Sequence, residues 1–200
     1  MSKYEKLLAV STYYKDNPHH HNYIHVNDNS RSIISTNGCA LLADRTLYQE
    51  TKVLARLMDA NMCLRYVPDT NLLIVDDKTL DLNSVIPSSD ELATAYKRVR
   101  LTLPTWLNYV KKPKRDKKAI TVTITQGDVP AIVIGNYGYG TAFDIALLKE
   151  YIGMEVDIYL HPNTDKPAII TPTGVSFDNS DWFYILMPIN KENGSSASYR

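Results

Sequence analysis

Three groups of residues in this chain have types and spacings that could do chemistry. Gly135, Gly138 and Gly140 lie between the apolar run AIVIG and a segment of helical periodicity, the order of parts in a dinucleotide-binding unit. Their spacing, however, is G-x-x-G-x-G, and the next apolar run, EVDIYL, leads into His161 and Pro162 with no acidic residue to hold a ribose. The glycines are read instead as freeing the backbone of a loop between a hairpin and a helix. His19, His20 and His21, with His25 and Asp28 close by, offer ligands for zinc, copper or nickel. Consecutive side chains point in different directions, no second cluster lies at ligand spacing, and Pro18 marks a turn, so a solvated loop is the reading and no metal is predicted. Cys39 and Cys63 each lie beside apolar residues and read as reduced, packed thiols. No G-x-S-x-G, P-loop, H-E-x-x-H or C-x-x-C occurs, and the carboxylates are scattered. No catalytic residue and no cofactor is predicted, and an enzyme is not indicated.

Charge says more. The 200 residues hold 22 basic and 22 acidic side chains, a net charge of zero, with 44% hydrophobic content, which excludes a disordered chain and allows one or two domains. The zero is a cancellation. From Lys97 to Lys118 nine basic residues face the single acid Asp116, a net of +8, and the rest of the chain balances it at −8. Such a stripe suits contact with phosphates, whose affinity falls with salt as counterions are released. It also suits a solvated loop, because KKPKRDKK contains a proline and no apolar residue. No stretch approaches the length of a membrane span, and MSKYEKLLAV is too short an apolar run for a signal peptide, so a cytoplasmic location without membrane contact is expected.

The elements that would position these residues read as follows. Tyr4, Leu7, Leu8, Ser11 and Tyr14 mark one face of an amphipathic helix. Strands follow at Tyr23 to Val26, Ser32 to Thr36 and Ala40 to Ala43, then a helix from Gln49 to Ala60 with Val53, Leu54, Leu57 and Met58 inward, then strands at Met62 to Val67 and Leu72 to Val75. The polar stretch TLDLNSVIPSSDE, with a Ser88/Glu91 capping box, reads as a connector. Beyond it come a strand at Val99 to Leu103, a short helix carrying Trp106, Leu107 and Val110, strands at Ile120 to Thr125 and Ala131 to Ile134, and a helix from Thr141 to Ile152. Strands at Val156 to Leu160, Ala168 to Thr171 and Trp182 to Met187 close the pattern. The expected fold is α+β, with two similar domains, 1–87 and 99–190, each with helices packed on one face of a curved antiparallel sheet, a connector at 88–98 and a disordered tail at 191–200.

Three segments, taken in order, resemble the bacterial DNA polymerase sliding clamp, the β subunit. IISTNGCALL at Ile33 to Leu42 is similar to the family's A-T-D-G-H-R-L turn, with Asn37 in place of its aspartate and Cys39 and Ala40 in place of the polar and basic pair. LDLNSVIP at Leu80 to Pro87 is similar to F-P-D-Y-x-x-V-I/L-P, and WFYILMPI resembles the clamp's closing Y-x-x-M-P-x. The order matches the clamp's middle and last domains.

The resemblance implies a noncatalytic protein that associates with duplex DNA without reading sequence and recruits polymerases or other proteins that carry short apolar motifs. Thr36, Gly38, Leu41, Val85, Ile185, Met187, Pro188 and Ile189 would line the apolar pocket between the domains. Lys3, Lys6, Lys52, Arg56, Lys111, Lys112 and Lys149, on or beside expected helices, would contact the DNA backbone. A six-domain ring would need three copies, a homo-oligomer. The alternative is a clamp-fold interaction module, encoded by a phage or mobile element, that does not encircle DNA.

Overall fold

The computed structural model describes residues 4–12, 23–55, 63–67, 69–70, 72–76, 80–103, 121–126, 129–136 and 139–189. In chain order its elements are α1 (Glu5–Thr12), β1 (Tyr23–Asn27), β2 (Ser32–Thr36), β3 (Ala40–Asp44), α2 (Tyr48–Ala55), β4 (Cys63–Val67), β5 (Leu72–Asp76) and α3 (Ser89–Ala95). There follow β6 (Lys97–Thr102), β7 (Thr121–Gln126), β8 (Val129–Asn136), β9 (Tyr139–Asp144), a 3₁₀ helix (Ile145–Tyr151), β10 (Glu155–Leu160), β11 (Ala168–Pro172), a 3₁₀ turn (Phe177–Asn179) and β12 (Trp182–Leu186). The fold is α+β with antiparallel strand pairing and few helices. The chain divides into two compact units, Met1–Ser89 with Val175–Ile185, and Asp90–Gly174 with Leu186–Arg200.

In the first unit the strands run in the order β5-β4-β1-β2-β3-β12. Helix α1 forms because Tyr4, Leu7, Leu8 and Ser11 recur at spacings of three and four, and all four are buried while Glu5 and Lys6 face solvent. Ser11 Oγ donates to Leu8 O at 2.8 Å, which satisfies the hydroxyl inside its own helix. Asp44 Oδ1 accepts from Thr46 N at 2.8 Å and Leu47 N at 3.2 Å, turning the chain into α2. Tyr4 Oη, just before α1, and Thr51 Oγ1 of α2, both in buried residues, come within 3.5 Å.

The β2–β3 hairpin pairs Thr36 with Leu41. Its turn is held by Asn37 Oδ1, which accepts from Cys39 N at 2.8 Å and Ala40 N at 2.7 Å, and by Gly38, whose φ of 86° favours glycine. The turn exposes Cys39, so only Cys63 is the packed thiol expected of both. Strand β5, at the rim of the sheet, leaves Leu72 57%, Ile74 43% and Val75 37% exposed.

Arg45 fastens the returning segment. Its guanidinium lies over the rings of Phe177 and Phe183, 4.9 and 4.8 Å from their centroids, and donates to Ser180 O and Oγ at 2.9 Å, to Phe177 O, and through Nε to Ser30 O at 3.0 Å. Burial lowers the arginine's pKa, and Asp178 works against that.

The second unit holds the strand sets β6-β10-β11 and β7-β8-β9. In the first of these sets alternation sorts the two faces. Val156 and Ile158, fully buried, oppose Leu101 and Val99, while Asp157 opposes Arg100 and Tyr159 opposes Arg98.

Three expectations change here. Thr141 to Ile152 is not one helix: it continues β9 to Asp144 and then makes a 3₁₀ helix, started where Asp144 accepts from Ala146 N at 2.8 Å. Ile145, Leu148 and Tyr151 are buried at a spacing of three, one 3₁₀ turn apart. Gly135 and Gly140 belong to a strand pair and not to a loop between a hairpin and a helix, for they oppose each other across β8 and β9, and Gly138 lies outside the described residues. The stretch read as a connector contains α3 and leads straight into β6. The helix expected around Trp106 and the tail after Asn190 lie outside the described residues.

Candidate functional site

Strand β6 is the described part of the basic segment. Its residues alternate between half-buried Val99 and Leu101 and exposed Arg98, Arg100 and Thr102, with Lys97 exposed at its start. Among the described residues β6 pairs with one strand, β10, and charged side chains on such a strand also discourage pairing with another chain.

Two arginines on the same face converge on one carboxylate. Arg98 Nη2 donates to Asp157 Oδ2, Arg100 Nε donates to Asp157 Oδ1 at 3.1 Å, and Gly174 N donates to Asp157 Oδ2 at 2.7 Å. The Asp157 side chain is 1% exposed, against 39% for Arg98 and 53% for Arg100. Burial by itself would raise the pKa of Asp157, but the bonds from Arg100, Arg98 and Gly174 outweigh it and hold the carboxyl at about 2. The same pairing raises Arg100. Arg98 is further fixed by the Tyr159 ring, whose centroid lies 5.7 Å from its guanidinium carbon.

Of the lysines and arginine assigned to the DNA backbone, Lys6 on α1 and Lys149 on the 3₁₀ helix are exposed. Lys52 is engaged: its Nζ donates to Asp28 Oδ1 at 3.1 Å and to Tyr48 Oη at 2.9 Å, and Tyr48 in turn donates to Asp28. These bonds raise the Lys52 pKa, and its charge is partly balanced by Asp28. Lys3, Arg56, Lys111 and Lys112 lie outside the described residues, as do His19 to His21. His25 is buried on β1, and among the described residues no three metal-ligating side chains gather.

The residues assigned to a partner pocket are divided between the two units. In the first unit Thr36 is buried and donates to Ala40 O at 2.7 Å, Leu41 and Ile185 are buried on β3 and β12, Gly38 is exposed in its turn, and Val85 is half-buried. In the second unit Met187, Pro188 and Ile189 are half-buried, with Ile189 N bonded to Ala142 O at 2.9 Å. Arg98, Arg100 and Asp157 escaped the sequence reading as a set. The signal available was an R-x-R on one strand and a lone acid inside the apolar run EVDIYL.

The described residues define an α+β protein of antiparallel sheets with a basic, arginine-bearing strand. No family model matches the chain, and no curated protein matches its sequence. Among solved structures it is similar to Caulobacter crescentus pol III beta at 14% identity and a TM-score of 0.39, over 84% of this chain. The chain spans 57% of the length of that protein. No helix among the described residues is long and apolar enough to cross a membrane.

Proposed function

We propose that this is a noncatalytic, clamp-like protein that associates with duplex DNA through its backbone and recruits partner proteins bearing short apolar motifs. The observation that carries the reading is the exposed basic face of β6, which opens a segment of net charge +8 in a chain whose total is zero. Contacts of this kind add affinity without reading sequence. Exposed Lys6 and Lys149 add positive charge on helices. Partner recruitment is assigned to Leu41, Val85, Met187 and their neighbours on the strength of the three motif resemblances.

The test is fluorescence anisotropy of the full chain with a duplex oligonucleotide over a range of salt, with light scattering to size the particle. The expected result is binding that weakens linearly in log salt and is indifferent to sequence. A strict monomer with no salt-dependent binding defeats the reading. A second reading, an interaction module that leaves DNA alone, draws on the exposed Leu72, Ile74 and Val75 of β5. Under it Met187→Ala weakens capture of an apolar-motif peptide while neutralising Lys111 and Lys112 changes nothing.

A further inference from the structure

Resting on the DNA-associating reading, we infer that Arg98 and Arg100 form a two-pronged site for one phosphodiester group, with Asp157 as the residue that positions both prongs. The two arginines stand two residues apart on β6, about 6.6 Å along the strand, and share a face. Each takes a different oxygen of the same buried carboxylate, so neither guanidinium is free to sweep through solvent. Arg100 uses only Nε in its bond to Asp157, which leaves both terminal nitrogens to donate to a ligand. One of them, Nη2, lies 4.0 Å from where a Cβ on Gly174 would sit, and Gly174, at φ 79°, also supplies the third donor to Asp157.

The charge of the cluster selects the ligand. Two guanidiniums and the Asp157 carboxylate sum to +1, exposed Glu155 acts on Arg100 from the same face, and the remainder falls well short of a dianionic terminal phosphate. The chain continues from β6 into Lys111, Lys112, Lys114, Arg115, Lys117 and Lys118, which suits repeated phosphates over an isolated one. A guard against edge pairing needs only charge, whereas a phosphate fork needs the planar, oriented donors of arginine.

That difference supplies the experiment. The full-length wild type, Arg98→Lys/Arg100→Lys and Arg98→Gln/Arg100→Gln/Asp157→Asn are titrated with a duplex oligonucleotide across salt, with circular dichroism to confirm folding. The lysine pair keeps every charge and is expected to lose about tenfold in affinity, the scale of one charge-assisted hydrogen bond. The triple variant leaves no buried charge unpaired, folds even if the lysine pair does not, and is expected to flatten the slope of log affinity against log salt by about 0.9, one phosphate contact. If wild type binds duplex and both variants match it in affinity and slope, the fork is overturned while DNA association stands. If wild type binds no duplex, both fail together, and the outcome is the same if it takes up only inorganic phosphate or phosphatidylserine vesicles.

Discussion

Arg45→Ala should be among the most damaging substitutions in the first unit. It would strip the donor from the buried Ser180 carbonyl and from that of Ser30, while the Phe177 carbonyl keeps the Ser180 hydroxyl at 2.7 Å. Each buried carbonyl left without a donor costs roughly 1–3 kcal/mol. The guanidinium's contact with the Phe177 and Phe183 rings adds roughly 0.5–1 kcal/mol apiece. These terms share one side chain and do not add in full, so about 3 kcal/mol is expected. For a chain of this size each kcal/mol moves the melting temperature by about 2–4 °C, so the midpoint should fall by about 9 °C. Arg45→Lys keeps a cation near the rings but loses the fork, and should fall about half as far. Thermal unfolding by circular dichroism measures both. A drop under about 3 °C for the alanine variant, or a lysine variant as stable as wild type, would refute the view that this residue fastens Val175–Ile185 to the first unit.

Three further outcomes follow from the same geometry. Because Asp157 is held at about 2 against the usual 3.8, the stability it lends is present above pH 3.8 and is lost as pH falls toward 2. The loss is at most about 2 kcal/mol and is reduced by solvent around the arginines; acid unfolding of Asp157→Asn should lack this limb, and parallel curves would contradict the assignment. Ile74→Lys, on the exposed rim strand, should change stability by no more than about 0.5 kcal/mol and reduce self-association in light scattering; a collapse of the melting temperature would mean the strand is core. Gly38→Ala places a Cβ at φ 86° and should cost about 1 kcal/mol by urea denaturation, and no measurable loss would show that the turn adapts.

Local patterns were legible where one residue's neighbours decide its fate. The face of α1 follows from the spacing of Tyr4, Leu7, Leu8 and Ser11, and Ser32 to Thr36 forms β2 with the expected bounds. The period failed at Ile145 and Leu148, because a spacing of three serves an α-helix and a 3₁₀ helix alike, and the strand that precedes them is invisible to helical periodicity. The candidate site was legible as charge but not as geometry. Asp157 meets Arg98 and Arg100 from 59 and 57 positions away, and nothing in EVDIYL announces its partners. Lys52 was assigned to DNA because its helix face was readable, while its bond to Asp28 spans 24 residues and depends on how β1 and α2 pack.

The path of the chain through its two units has a consequence for synthesis. Strand β12 and the Phe177 and Ser180 acceptors of Arg45 emerge from the ribosome after all of Asp90–Gly174. At roughly 5–20 residues per second, β1 to β5 precede β12, the strand that pairs beside β3, by roughly 5 to 20 seconds. A stall in translation before Val175 therefore leaves a first unit whose Arg45 has only the Ser30 carbonyl to hold.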